Sequence, residues 1–255
     1  MRAAAPELQA ALLRWFEELD STNAEARRLA EAGEGGPLWI AARRQTSSRG
    51  RRGRAWESPK GALAATLLAT TERPPAEAAQ LSFVTALAVA DLADAYVPET
   101  IVALKWPNDV LVAGAKAAGI LIESGPSSGG GVWLAIGVGV NLAKAPEGLD
   151  HPATALASHL RSGAATPTPT EALELLADLM AGRVRQWLNG GFAAVRHAWL
   201  ERAAGIGLTC TARLGDGSAL TGVAEGLDID GALLLRMDDG QVRRVSAGDV
   251  YFGSA

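Results

Sequence analysis

Short apolar runs with the composition of β-strands follow one another along the first half of the chain. They are rich in small and β-branched residues, are bounded by turn residues, and lie at residues 13–19, 37–42, 63–70, 101–112, 116–123 and 132–142. A polar Trp-Pro-Asn-Asp corner divides the run at 101–112, because proline prevents a regular ladder there. Since the later runs succeed one another as hairpins, the pattern predicts a largely antiparallel sheet.

Three other stretches have the spacing of amphipathic helices. They cover residues 22–32, 76–96 and, with a break at Gly190-Gly191, 169–204. Thr22 with Glu25 and Thr168 with Glu171 have the spacing of a capping box, in which two side chains close the first turn of a helix.

The chain changes character after residue 204. Short β runs alternate with Gly-Asp and Asp-Gly turns, spaced as in a small barrel. We therefore predict two domains, residues 1–204 and residues 205–255. The predicted fold class is α+β: a mixed, largely antiparallel sheet with packed helices, followed by a small C-terminal β-barrel.

Composition and charge exclude several classes of protein. A hydrophobic fraction of 48% is enough for a packed core, and 255 residues can hold one large domain with a small addition. The single cysteine, Cys210, excludes an intramolecular disulfide, and the three histidines show no metal-ligand spacing. No signal peptide and no run of eighteen apolar residues are visible, so we expect a cytoplasmic location and no membrane partner.

The strongest local feature is a run of six arginines in residues 43–54, with no acidic residue before Glu57. Neighbouring guanidinium groups repel one another, and Gly50 and Gly53 loosen the backbone, so a regular element is disfavoured. A loop that waits for a polyanion is favoured, with nucleic acid, a nucleotide triphosphate and solvent as the alternatives. The formal net charge of −4 argues against nucleic acid, because proteins that bind it usually present a basic domain.

Further cations and glycines stand at the ends and in the middle of the predicted strands. Lysine is rare, with four lysines against twenty arginines, yet Lys105 and Lys116 belong to one hairpin. Together with the arginine loop they can converge on one triphosphate. Glycine inside a strand indicates a close approach to the backbone, and three such glycines precede a polar Asn141: Gly119, Gly137 and Gly139. No P-loop, dinucleotide motif or covalent nucleophile is visible.

Five motifs, in this order and spacing, resemble those of the biotin protein ligases. They are Ser21-Thr22-Asn23, Gln45 followed by Arg49-Gly50-Arg51-Arg52-Gly53-Arg54 and Trp56, Lys105-Trp106-Pro107-Asn108-Asp109, Lys116-Ala117-Ala118-Gly119-Ile120-Leu121-Ile122-Glu123, and Gly137-Val138-Gly139-Val140-Asn141. The resemblance covers residues 13–252. It implies a catalytic domain like that of class II synthetases and a C-terminal SH3-like β domain.

Carried over residue by residue, the resemblance implies a biotin site and a nucleotide site that share their cations. The implied biotin-binding residues are Ser21, Thr22, Asn23, Gln45, Arg49, Gly50, Arg51, Trp56, Lys116, Gly119 and Gly137. The implied nucleotide-binding residues are Arg49, Arg51, Lys105, Asn108, Lys116 and Asn141. The implied catalytic residues are Lys116, Arg49, Arg51 and Lys105, and Asp109 is the candidate ligand of magnesium.

The implied activity has two steps. ATP-dependent activation of biotin to biotinyl-5′-AMP is followed by transfer of biotin to a specific lysine of a biotin carboxyl carrier protein domain. ATP, biotin as substrate and Mg²⁺ are the implied ligands, the arginine loop is expected to act as a lid, and a homodimer is a candidate assembly. Twenty residues precede Ser21, too few for the winged-helix domain of bifunctional relatives, so we expect no nucleic-acid partner and no repressor function.

Two positions depart from the family pattern. Ser48 stands where relatives often have the first glycine of the loop, and the residue that stacks on adenine has no evident equivalent after Asn141. The rival interpretations are a lipoate ligase or octanoyl transferase, a nucleic-acid-binding protein, and a non-catalytic biotin-binding module. The first lacks the arginine-glycine loop, the second conflicts with the acidic net charge, and the third requires a broken set of cations.

Overall fold

The large sheet of the fold has seven strands in the order β1-β2-β3-β7-β6-β5-β4. The structure, a computed structural model, describes residues 11–252. The strands are β1 Leu12–Leu19, β2 Leu38–Gln45, β3 Leu63–Thr71, β4 Val102–Lys105, β5 Asp109–Val112, β6 Ala115–Pro126 and β7 Val132–Val140. β1 and β2 are parallel, and every other neighbouring pair is antiparallel. The predicted α+β class with a mixed, largely antiparallel sheet is confirmed.

Helices cover both faces of this sheet. They are α1 Thr22–Glu31 on one face, and α2 Pro75–Ala78, α3 Leu81–Asp94 and α4 Pro169–Glu201 on the other. Side chains of a strand alternate between faces. In β3, Leu67 therefore joins the core under α3 and α4, whereas Leu68 packs with Ala26 of α1. The predicted break in α4 is present at Gly191, whose φ is 64°.

The start of α1 differs from the prediction. Ser21, and not Thr22, is the N-cap, because the Ser21 Oγ accepts a hydrogen bond from the Ala24 N–H. Thr22 is the first helical residue, so the predicted capping box of Thr22 with Glu25 is wrong. The consequence is that the Thr22 side chain is free to bond elsewhere.

Residues Pro75–Asp94 correct two further expectations. The helix predicted over residues 76–96 is two helices, α2 and α3, with a turn between them. By length and composition this stretch could also cross a membrane, contrary to the expectation that no such run exists, but 67% of it is buried inside the fold. The Phe83 ring of α3 packs edge-on against Phe192 and Trp199 of α4, with centroids 5.4 and 5.6 Å away. The apolar composition thus belongs to core helices.

The C-terminal part is a five-stranded antiparallel sheet in the order β11-β10-β9-β8-β12. Its strands are β8 Thr209–Arg213, β9 Ala219–Leu227, β10 Leu233–Arg236, β11 Val242–Val245 and β12 Asp249–Phe252. The first four match the β runs predicted at residues 208–214, 218–226, 232–237 and 241–245, whereas β12 was not predicted. This sheet is joined to the large one by direct bonds: the Trp106 Nε1–H donates to the Gly231 carbonyl at 3.0 Å.

Candidate active site

Glycines form a flat floor on the face of the sheet that carries α1. Gly119 of β6 and Gly139 of β7 lie directly opposite each other, and Gly137 lies opposite Thr66 of β3. Because no side chain rises from these positions, the Trp56 ring lies on the backbone. A Cβ at Gly139 would come within 2.6 Å of that ring, and a Cβ at Gly119 within 3.2 Å. The close approach expected from glycines inside strands is therefore present.

The first turn of α1 forms a polar wall beside the floor. Asn23 Nδ2 donates to Glu123 Oε2 at 2.8 Å, and Asn23 Oδ1 accepts from Thr66 Oγ1 at 2.7 Å. The Thr22 N–H donates to Gln45 Oε1 at 2.8 Å. Thr22, Asn23 and Thr66 are at most 5% exposed. Buried polar groups need hydrogen-bond partners, so this network fixes the orientation of both side-chain amides.

Two members of the wall were not predicted from the sequence. Thr66 stands between Ala65 and Leu67 in a strand that also carries Thr70 and Thr71, so nothing local distinguishes it from the other threonines. Glu123 ends a recognised motif, but nothing local shows that its carboxylate reaches Asn23 of a distant helix. Both contacts depend on the pairing of β3, β6 and β7, which no local pattern reveals.

A β-bulge turns Lys116 onto the floor side of the sheet. The pairing of β5 with β6 shifts by one residue at Ala117. With regular alternation Lys116 would share a face with the buried Ala118. The bulge instead places its Nζ 2.6 Å from Asp109 Oδ1 and 5.4 Å from the centroid of the Trp56 ring. Lys116 thus connects the glycine floor with Lys105 at the corner between β4 and β5. Lys105, Lys116 and Arg51, which surround Asp109, are called the cation cluster below.

Asp109, the candidate magnesium ligand, lies between two lysines. It is ion-paired with Lys116 and stands opposite Lys105 in the register of β4 and β5. Among residues 11–252 no group of three or more His, Cys, Asp or Glu side chains is placed to hold a metal ion. In nucleotide sites Mg²⁺ is usually held by one or two carboxylates together with substrate phosphates. Asp109 offers one carboxylate for such an arrangement.

The arginine loop is folded as a small hairpin. The Gly50 N–H donates to the Arg54 carbonyl at 2.7 Å, and the Trp56 N–H donates to the Ser48 carbonyl at 3.1 Å. The Ser48 hydroxyl also contacts the Trp56 carbonyl, so a side chain at this position closes the hairpin where relatives often have glycine. These bonds hold Trp56 at the floor.

The two central arginines of the loop face different surroundings. Arg49 is exposed, and within residues 11–252 its side chain has no ion pair or hydrogen bond. Arg51 is mostly buried, which lowers its pKa. Its Nη1 lies 3.5 Å from Asn108 Oδ1 and donates to the Gly248 carbonyl at 3.0 Å. The loop therefore brings two cations to the site: Arg49, which has no side-chain partner among residues 11–252, and Arg51, which is held by Asn108 and Gly248.

Arg43 and Arg44 do not belong to the loop. β2 extends to Gln45, so both arginines lie in a strand, where Arg43 pairs with Glu17 and Arg44 with Glu18 of β1. The predicted end of this strand at residue 42 is wrong, because the neighbouring parallel strand supplies acidic partners that are distant in sequence. Both arginines are exposed.

Asn141 lies at the end of β7 and is 1% exposed. Its Nδ2 donates to the Thr154 carbonyl at 3.0 Å, and the Lys116 N–H donates to the Pro152 carbonyl at 2.9 Å. Asn141 thus holds this segment beside Lys116. The same segment brings His151 toward the cations, and burial together with the Lys116 charge lowers the pKa of His151. His151 had no recognisable role in the sequence, because only the folded segment places it here.

Comparison with known proteins identifies the family to which this site belongs. Residues 15–141 match the model of the biotin/lipoate A/B protein ligase family, and residues 205–253 match that of the biotin protein ligase C-terminal domain. The chain is 45% identical over 237 residues to a biotin–[acetyl-CoA-carboxylase] ligase of Paracoccus denitrificans, which covers 92% of this chain and 98% of that relative. The chain belongs to the biotin protein ligases.

A second relative and a solved structure agree with this biotin protein ligase assignment. The chain is 34% identical over 237 residues to a biotin–[acetyl-CoA-carboxylase] ligase of Mycobacterium tuberculosis, covering 90% of this chain and 85% of that relative. A biotin protein ligase from Aquifex aeolicus, solved in complex with biotin and ATP, aligns with a TM-score of 0.77 and 26% identity over 96% of this chain and 99% of that one. The resemblance found in the sequence is confirmed.

Proposed function

We propose that this biotin protein ligase binds biotin on the glycine floor and ATP at the adjacent cations. Its activity is ATP-dependent activation of biotin to biotinyl-5′-AMP, followed by transfer of biotin to an acetyl-CoA carboxylase. The position of Lys116 carries the proposal, because its Nζ adjoins both the Trp56 ring on the floor and Asp109 at the cation cluster. A carboxylate and a phosphate bound at these two places would both reach it.

The biotin side of the proposed site has a complementary chemistry. The Trp56 ring and the glycine backbone offer an apolar surface. A fixed polar edge is formed beside it by Ser21, Thr22, Asn23 and Gln45. A ligand with a flat polar head and an aliphatic tail ending in a carboxylate matches this order. The head would lie at the wall, the tail on the floor, and the carboxylate at Lys116.

In the first step the biotin carboxylate attacks the α-phosphorus of ATP, and pyrophosphate leaves. Two anions must approach each other, so the main requirement is fixed positive charge directed at the developing phosphorane oxygens. Lys116, Arg49, Arg51 and Lys105 meet it. Burial lowers the pKa of both Arg51 and Lys105, so these incompletely solvated cations gain the most from a bound anion.

Mg²⁺, when bound, neutralises phosphate charge, and Asp109 would hold it. Asn108 keeps its place through a 2.7 Å bond from Nδ2 to the Ile120 carbonyl, which directs its Oδ1 toward Arg51. Asn141 would shape the nucleotide side of the site, because its Nδ2 holds the segment at Thr154 in place. Holding both reactants in register removes a large entropic part of the barrier.

In the second step the amine of an acceptor lysine attacks the mixed anhydride, and AMP leaves. We propose that the acceptor is a biotin carboxyl carrier domain. Incubation of the enzyme with biotin, ATP, Mg²⁺ and such a domain should increase the intact mass of the domain by one attached biotin, at a single lysine. The matched control is the same domain with that lysine changed to arginine. An unmodified wild-type acceptor in this reaction would contradict the proposal.

The arginine loop is proposed to protect the anhydride from water as a lid. Three of its guanidinium groups, those of Arg51, Arg52 and Arg54, share the carboxylate of Asp249, so the loop keeps a net positive charge that bound phosphates neutralise. We predict that hydrogen exchange in residues 45–56 slows when biotin and ATP bind, whereas exchange in β8 stays constant. Equal exchange of residues 45–56 in the free and bound enzyme would rule out the lid.

We also propose that the catalytic domain comprises residues 1–204 and the C-terminal domain residues 205–255. The end of α4 at Glu201 and the start of β8 at Thr209 support a boundary there. A cytoplasmic location is part of the proposal, and the single buried thiol, Cys210, fits a reducing compartment. A homodimer is a candidate assembly, which sedimentation would detect as a doubled mass.

A further inference from the structure

One carboxylate of the C-terminal sheet gathers three arginines of the loop. Asp249, the first residue of β12, has Oδ1 2.8 Å from Arg54 Nη2 and 3.6 Å from Arg51 Nη1, and Oδ2 3.3 Å from Arg52 Nη1. Its side chain is 16% exposed. Ion pairs in such a half-buried setting are less screened by salt than pairs on an open surface.

Main-chain acceptors of the same sheet strengthen this contact. Arg51 Nη1 donates to the Gly248 carbonyl at 3.0 Å, and Arg52 Nη2 donates to the Arg213 carbonyl at 3.3 Å. Arg213 is the register partner of Asp249 in the pairing of β8 with β12. The loop is therefore attached to one end of the C-terminal sheet by a carboxylate and two carbonyl groups.

This attachment decides where the charges of the loop point. With its guanidinium held at Gly248 and Asp249, Arg51 lies 3.5 Å from Asn108 and stays at the cation cluster. The Arg49 side chain, two residues before Arg51 and paired across the hairpin with Ala55 only through the backbone, keeps no partner within residues 11–252 and is available to a ligand. Three guanidinium groups and one carboxylate together carry a net positive charge, so the contact with Asp249 does not cancel the attraction of the loop for phosphate.

We propose that Asp249 is a positioning residue for the ligase reaction: it is the internal counter-ion that holds the arginine loop over the site before ATP binds. The inference rests on the proposed function of the loop cations. It makes the C-terminal domain a part of the ATP site without any contact between that domain and ATP. Without this carboxylate the like charges repel, and the closed loop becomes a minor population.

The test compares Asp249→Asn with Asp238→Asn in the full chain. Asp238 lies in the same domain, is exposed, and has no ion pair among the described residues. In the unliganded protein, hydrogen exchange of residues 45–56 should become about tenfold faster in Asp249→Asn, because a charge-assisted contact is lost. Asp238→Asn should exchange as the wild type does.

The second readout is biotin-dependent ATP–pyrophosphate exchange. The KM for ATP should rise about tenfold in Asp249→Asn with kcat nearly unchanged, since apparent affinity falls with the fraction of enzyme in the binding-competent state. Asp249→Glu, which keeps the charge, should restore most of the ATP affinity. A general loss of structure would instead lower kcat in both Asp249→Asn and Asp249→Glu, and the charge of glutamate would not restore ATP affinity.

Each other outcome overturns the inference. Unchanged exchange and an unchanged KM would show that Asp249 does not hold the loop, and a lower KM would show that it competes with phosphate instead. Failure of the ligase proposal itself is separate: the wild-type chain would then show no biotin-dependent pyrophosphate exchange, whatever the hydrogen exchange of the Asp249 variants.

Discussion

Lys116→Ala should slow biotin-dependent ATP–pyrophosphate exchange by about 10²–10³-fold, the usual effect of removing one preorganised group that stabilises transition-state charge. Lys116 is the cation nearest to both the floor and the phosphate side, because the bulge at Ala117 turns it there. Its loss also leaves the Asp109 carboxylate without its partner, which adds repulsion toward the incoming anions.

Two comparisons isolate the role of the Lys116 charge. Lys60→Ala and Lys144→Ala remove exposed lysines elsewhere and should leave the exchange rate as in the wild type. The double variant Lys116→Ala/Asp109→Asn removes both members of the ion pair. Its exchange rate shows how much of the effect of Lys116→Ala comes from the missing cation and how much from the unpaired Asp109 carboxylate. Near-normal exchange by Lys116→Ala would show that this lysine has no part in adenylate formation.

Gly137→Ala should raise the dissociation constant for biotin by at least about tenfold, which corresponds to 1.4 kcal/mol. A Cβ at this position would lie 2.2 Å from Asn23 Oδ1, a distance that forces Asn23 to move. Asn23 would then lose its bonds to Thr66 and Glu123, and the polar wall would lose its fixed orientation. Overpacking of this kind also costs about 1–3 kcal/mol of stability.

Calorimetric titration with biotin measures this effect directly. Gly129→Ala is the matched control, since a Cβ at Gly129 has no heavy atom within 4 Å and the same substitution there should leave biotin affinity unchanged. Thermal unfolding of both variants separates a local change in the site from loss of the fold. Wild-type affinity in a folded Gly137→Ala enzyme would contradict the placement of biotin on this floor.

Most of the fold could be predicted because its strands are short apolar runs bounded by turn residues. The glycines at positions 119, 137 and 139 were also recognisable locally, because a glycine inside a strand indicates that another group approaches the backbone closely. The failures lie where distant strands meet. β2 continues through Arg44 because Glu18 of β1 stands beside it, and β12 forms by pairing with β8, which is distant in sequence.

The remaining parts of the site depend on three-dimensional arrangement. The alternation of β6 would have placed Lys116 in the core, and only the register shift against β5 shows that it faces the floor. Charge repulsion alone predicted an open arginine loop, whereas the structure supplies a counter-ion, Asp249, nearly two hundred residues away. Local chemistry thus indicated an anion site, and long-range pairing determined its shape.

The most direct test of the central claim is pyrophosphate exchange into ATP by the wild-type chain, with biotin and then with lipoate as the carboxylate. We predict rapid exchange with biotin and only background exchange with lipoate, because the polar wall at Asn23 and Gln45 suits a polar head group. Exchange supported equally by lipoate, or none supported by biotin, would contradict the assignment of this site to biotin.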